Sequence, residues 1–294
     1  MTGRGGRGGR RRRLRRTGAP GLRSSRGALS GALGTTVLAA TLLAAGVGDL
    51  SAQERRFRLP GFDRDPGARF EELNPDYDGR FQFVRIRFDV GGGRGFGRGG
   101  PPWMHDYPRA ERNFMRILDE TTFVDPLVDG SQVLEATDPE LFRYPVAYIV
   151  EVGYWNPSEE DVQALRDYLR KGGFLIVDDF RDQWGEWDNF RRQVERILPG
   201  AQLVRLDASH EIFDSFFHIG SLDTLVPATF QRYAPIYYGI YEDNDPERRL
   251  LAIVNFNNDI AEYWEFSDRG YYPIDLANEA YKLGVNYIVY ALTH

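Results

Sequence analysis

Val146-Ala-Tyr-Ile-Val-Glu-Val152, Pro157-Ser158-Glu159-Glu160 and Phe174-Leu-Ile-Val177, closed by Asp178-Asp179, decide the fold of this chain. The first and third stretches are continuous apolar runs, the pattern of strands buried on both faces of a parallel sheet. The segment between them reads as a helix. Ser158 is placed to cap it, Val162, Leu165, Tyr168 and Leu169 line one side, and Gly172-Gly173 ends it. Strand, helix and strand within about 35 residues predict a right-handed βαβ crossover and a parallel sheet.

Working outward, Phe81-Gln-Phe-Val-Arg-Ile-Arg-Phe88 alternates apolar and polar, a strand signal. Gly91 to Gly100 is a Gly/Arg run. It lacks the Gly-Lys-Ser/Thr ending of a phosphate-binding loop, and Pro101-Pro102 stand where the helix should begin, so it reads as a surface loop or lid. Tyr107-Pro108 opens a helix with Ala110, Phe114, Ile117 and Leu118 on one face. Trp187 to Leu198 predicts another helix. Gln202 to Leu206, Ile236 to Tyr241 and Leu250 to Asn255 predict strands, and Asp275 is placed to cap a final helix. The expectation is an α/β domain over residues 81–294, doubly wound around a mainly parallel sheet.

The ends of the chain differ in charge. Residues 1–52 hold ten Arg and one acid, Asp49; removing these from 37 basic and 43 acidic residues leaves 27 against 42. An excess of acid disfavours nucleic acid as a partner of the folded part, because phosphate binding needs a basic face. The order basic run Arg4–Arg26, apolar run Ala28–Val47 and small residues Ser51-Ala52 predicts a secretory signal over residues 1–52. An exported protein, periplasmic or extracellular, is therefore expected. Retention of the apolar run as a membrane anchor is the alternative. Residues 53–80, with Pro60, Pro66 and Pro75, read as a linker or a wrapped arm. The chain has no Cys, which excludes disulfides, thiolate metal sites and Cys nucleophiles.

Several motifs in order resemble one family. Trp103-Met-His-Asp-Tyr-Pro-Arg-Ala-Glu-Arg-Asn113, Leu141-Phe-Arg-Tyr-Pro145, Leu165-Arg-Asp-Tyr-Leu-Arg-Lys-Gly-Gly-Phe-Leu175 with Asp178-Asp179, and His210-Glu-Ile-Phe213 resemble the bacterial DUF4159 domain. The resemblance implies a flavodoxin-like, class I glutamine amidotransferase-like or ThuA-like arrangement over roughly residues 80–292. It brings no catalytic residues and no cofactor. In such a domain a nucleophile would follow a central strand on a sharp turn. Here that place is Glu151-Val-Gly-Tyr-Trp-Asn156, which offers neither Cys nor Ser, so a covalent thioester is excluded.

The remaining chemistry lies at predicted strand ends, where ligands collect in open α/β sheets. Asp178-Asp179 could hold a hard cation such as Mg²⁺ or Ca²⁺, or act as acid and base; the structural alternative is a cap and an Arg pair. Trp103, His105, Asp106, Tyr107 and Arg109 crowd one loop. The loop could close over an anion or a sugar, or it could plug the core edge. Asn255-Phe-Asn-Asn-Asp259, with Tyr263-Trp264 after it, reads as a further strand-end cluster or an Asn/Asp turn. A single cleft is expected to gather Asp106, Tyr107, Arg109, Trp155, Asp178, Asp179 and His210. Two functions follow as expectations. One is a noncatalytic ligand-binding or scaffolding domain of the cell envelope. The other is a carboxylate- or metal-dependent hydrolase acting on an envelope glycan or peptide.

Overall fold

The computed structural model describes residues 74–90, 100–223 and 233–294. The expected signal over 1–52, most of the arm and most of the Gly/Arg run lie outside the described residues. Seven strands form one sheet in the order β2-β1-β3-β4-β7-β6-β5. They are β1 (Val84–Arg87), β2 (Gln132–Glu135), β3 (Val146–Val150), β4 (Phe174–Phe180), β5 (Val204–Arg205), β6 (Ile236–Tyr241) and β7 (Leu250–Phe256). The run β2-β1-β3-β4-β7 is parallel throughout, while β6 lies antiparallel to both β7 and β5. Five parallel strands in this order form the flavodoxin-like succession, whose direction of winding switches between β1 and β3.

Among the described residues five α-helices cover the sheet: α1 (Arg109–Thr121), α2 (Glu159–Arg170), α3 (Glu186–Ile197), α4 (Ile260–Phe266) and α5 (Ile274–Thr293). α1, α4 and α5 share one core with Phe83, Tyr148, Val150, Ile176 and Ile253 of the sheet. Its centre is aromatic, with Phe114 stacked on Trp264 at 4.4 Å. α2 and α3 pack against each other, and α3 brings Phe190 within 4.9 Å of Phe180. The α/β doubly wound expectation is met. α2 begins as its sequence predicts, with Ser158 Oγ accepting from Asp161 N and Asp161 Oδ2 accepting from Ser158 N. No helix among the described residues is long and apolar enough to cross a membrane.

Four details depart from the sequence patterning. β3 stops at Val150 rather than Val152, because Glu151 adopts a left-handed φ of 53° and turns the chain. β4 runs on through both acids to Phe180, so Asp178 and Asp179 belong to the strand. β1 is buried on both faces, and its alternating polar residue Arg85 is fully enclosed. The last helix is capped by Pro273, with Asp275 inside its first turn. At the sheet edge, Asn74 in the described end of the arm donates to Val133 O and accepts from Val133 N. Its amide thereby occupies ladder groups that β2 would otherwise present to another chain.

Candidate metal centre

The carboxyl ends of β1, β3, β4 and β7 all deliver polar residues to one region, beside the switch in winding. After β1, the loop carrying His105 and Asp106 is tied down from below by Arg85. The Arg85 guanidinium donates to the backbone oxygens of Trp103 and His105, each at 2.9 Å, and pairs with buried Glu111 of α1. The same group lies over the Tyr148 ring at 5.0 Å. A charge at this depth is tolerated because Glu111 pairs with it and Nε and Nη1 are hydrogen-bonded, although the buried Nη2 has no hydrogen-bond partner.

β4 contributes its two acids through a local irregularity. Its register against β7 shifts between Val177 and Phe180, and Asp179 has a φ of 50°. Alternation would send Asp178 and Asp179 to opposite faces. The bulge lets both reach the α4 side, a device common next to functional sites. Asp178 is wholly committed. Its Oδ2 accepts from Tyr148 Oη at 2.8 Å and from the backbone N–H groups of Ile260 and Ala261, while Oδ1 accepts from Asn255. Burial pushes its carboxyl up to about 6. Asp178 therefore holds α4 in place and is not free to bind a ligand.

Asp179 is turned into the cluster. Its Oδ2 lies 2.6 Å from His105 Nδ1, and its buried Oδ1 meets no donor. Asp106, with a φ of 65°, lies alongside; its side chain is 0% exposed, and neither carboxylate oxygen meets a donor. Asp259, the cap of α4, completes the group. One ligand atom from each of His105, Asp106, Asp179 and Asp259 lies within 4.8 Å of the others. Opposite ligands of an ion with bonds of about 2.1 Å stand about 4.2 Å apart, so closure by about half an ångström would seat one cation. The His105 side chain is 46% exposed and forms the side open to solvent.

The electrostatics point the same way. Burial, opposed by His105, drives the Asp106 carboxyl well above the usual range, and burial with the Asp179 charge does the same to Asp259. Asp106, with Asp179, raises the His105 imidazole well above its ordinary value. Three acids and one imidazole would carry a net charge of about −3 if the acids were ionised and the ring neutral. A divalent cation cancels most of that charge. Glu151, in the turn after β3, is pushed up to about 9 by burial and then by Asp179. It occupies the sharp post-strand turn where an amidotransferase-like domain would carry its nucleophile. Gly153 beside it is needed for close approach, since a Cβ there would sit 2.3 Å from Glu186 Cγ.

Of the seven residues expected in one cleft, Asp106 and Asp179 meet. Asp178 lies behind them as a support. Tyr107 is hydrogen-bonded by Ser131 and lies under the Arg85 guanidinium, 5.9 Å away. Arg109 donates to Asp268 at 2.5 Å. Trp155 is buried, with its ring 6.5 Å from Phe88. His210 belongs elsewhere, and its expected place in the cleft is corrected. Its Nδ1 accepts from Ile212 N at 3.2 Å, so Nε2–H donates to Tyr241 Oη at 2.7 Å. Tyr241 pairs with Leu250 at the start of β7, and the Tyr290 ring beside His210 lies 6.1 Å from Phe174 at the start of β4. The imidazole is thus engaged by residues that pair or pack at the amino-terminal ends of β4 and β7, and none of the cluster's carboxylates is its hydrogen-bond partner. His105 and Asp259 were visible in the sequence as members of polar strand-end clusters. Arg85 gave only a strand signal.

A mostly parallel, doubly wound α/β domain with an imidazole and three carboxylates at its strand ends is the class that fold and site define. Residues 82–292 match the family model for a domain of unknown function, DUF4159. The chain belongs to that family. No curated protein matches it.

Proposed function

We propose that this is a noncatalytic ligand-binding or scaffolding domain whose site holds a divalent cation through His105, Asp106, Asp179 and Asp259. The observation that carries this reading is the fully buried Asp106 carboxylate with no donor on either oxygen, beside Asp179 Oδ1 in the same condition. A donor set of one imidazole and three carboxylates suits Mn²⁺ better than the all-oxygen cations Mg²⁺ and Ca²⁺. His105 and the solvent on its side leave room for an oxygen-rich ligand, such as an envelope glycan or peptide. The basic, apolar and small-residue succession over 1–52 supports export to the periplasm or beyond. Cell fractionation and N-terminal sequencing test that part, and a cytoplasmic full-length chain would overturn it.

Thermal melting of the EDTA-treated full chain tests the cation. At 100 times its Kd, a cation stabilises the folded state by about 2.7 kcal/mol, which raises the Tm by about 5–10 °C. Asp106→Asn/Asp179→Asn should remove the rise. No rise with Mn²⁺, Zn²⁺, Mg²⁺ or Ca²⁺, or an equal rise in the variant, would overturn the reading. Glu151 favours a second reading, a metal-assisted hydrolase, because a carboxyl in the post-strand turn beside Asp179 is placed to move a proton. Release of fragments from cell-wall glycan by the Mn²⁺-loaded chain, abolished in Glu151→Gln, would support it. No release by the wild type would leave the noncatalytic reading in place.

A further inference from the structure

Asp106 belongs to two ligand sets. Besides its place with His105, Asp179 and Asp259, it forms a second group with Glu262 and Glu265, whose ligand atoms also lie within 4.8 Å of one another. Glu262 and Glu265 are one turn apart on α4, so they share a face of that helix. The first residue before α4, Asp259, serves the first set. One short helix thus delivers acids to two adjacent positions, and Asp106 lies between them. Tyr272 Oη donates to Glu262 and holds its carboxylate in place. Burial and then Glu262 raise the Glu265 carboxyl above its ordinary value.

We propose that Asp106 bridges two divalent cations, the first held by His105, Asp179 and Asp259, the second by Glu262 and Glu265. This inference rests on the cation reading above and adds a second position to it. Both Asp106 oxygens are buried and without donors, as a carboxylate shared between two ions requires. Five carboxyl groups share this small volume, and when ionised to bind metal they would carry more negative charge than one divalent ion cancels. Two ions bridged in this way stand about 3.5–4 Å apart, a spacing that clamps both oxygens of a phosphate or carboxylate group. The ligand class that fits is therefore an oxyanion bound across both ions.

The test uses the full chain equilibrated with Mn²⁺. Metal content is measured after dialysis, and EPR reads whether the ions are exchange-coupled. The wild type should bind two Mn²⁺ per chain with a coupled spectrum. Glu262→Gln/Glu265→Gln should bind one, with the spectrum of an isolated ion. One uncoupled Mn²⁺ per wild-type chain would overturn the second position while leaving the first site standing. No bound Mn²⁺ in the wild type would overturn both. The wild-type stoichiometry alone can refute the proposal, whether or not the variant folds.

Discussion

Arg85→Met probes the support beneath the site. The substitution leaves Glu111 buried without its partner and strips a donor from the Trp103 and His105 carbonyls. Removing one member of a buried pair costs about 3–5 kcal/mol, much of it for the charge left behind. Near 4 kcal/mol, the Tm of a domain this size falls by about 8–16 °C. Arg85→Met/Glu111→Leu should recover most of that loss, because apolar replacement of both partners is often neutral. Cation affinity should behave differently. The loop bearing His105 and Asp106 stays untethered in both variants, so Mn²⁺ binding should weaken about 10–100-fold in each. Urea unfolding combined with titration calorimetry reads both quantities. A loss under about 1 kcal/mol in Arg85→Met, or a double variant no more stable than the single, would refute the role given to the pair.

Three further outcomes follow. Gly284→Ala should destabilise the domain by about 2 kcal/mol in urea unfolding despite the better helix propensity of Ala, because the new Cβ would lie 2.5 Å from Phe114 and 2.6 Å from Trp264. Asp178→Asn should cost about 1–3 kcal/mol in the same assay, since Tyr287 Oη donates to Asn255 Oδ1 and fixes the Asn255 amide toward the new amide; its Mn²⁺ stoichiometry should stay at the wild-type value. In EDTA, stability should fall as pH rises from about 5 to about 9. Asp178, up to about 6, and Glu151, up to about 9, bind protons in the folded chain that the unfolded chain releases at lower pH. Urea midpoints that instead rise across that range would contradict the buried, raised carboxyls.

Much of the architecture is legible in the sequence because burial writes a simple pattern. β3, β4 and β7 read as unbroken apolar runs, and α2 announces itself through Ser158 and Gly172-Gly173. β2 is not legible, since four residues beginning with Gln132 and ending with Glu135 carry too little periodicity. α4 is equally hidden: seven residues with buried Ile260, Ala261, Tyr263 and Trp264 look like the tail of a strand-end turn. The site is half visible. Asp106 and Asp179 stand out as acids at predicted element ends, but the left-handed φ of Asp179 that turns it beside His105 depends on the bulge against β7. Arg85 passes for the solvent side of a strand because alternation cannot show that Glu111 and two carbonyls await it. His210 misleads for the opposite reason. It follows β5, which two antiparallel steps leave running in the same direction as β7, yet the turn after that strand uses the imidazole to cap Ile212 and aims it at Tyr241 rather than at the carboxylates.

The central claim is that a cation occupies the space between His105, Asp106, Asp179 and Asp259. Anomalous diffraction at the manganese edge from crystals of the full chain grown with Mn²⁺ tests it most directly. A strong peak is expected about 2.1–2.2 Å from the His105 imidazole and from an oxygen of each of the three aspartates. A map with no peak among these four residues, at a Mn²⁺ concentration well above the measured Kd, would contradict it.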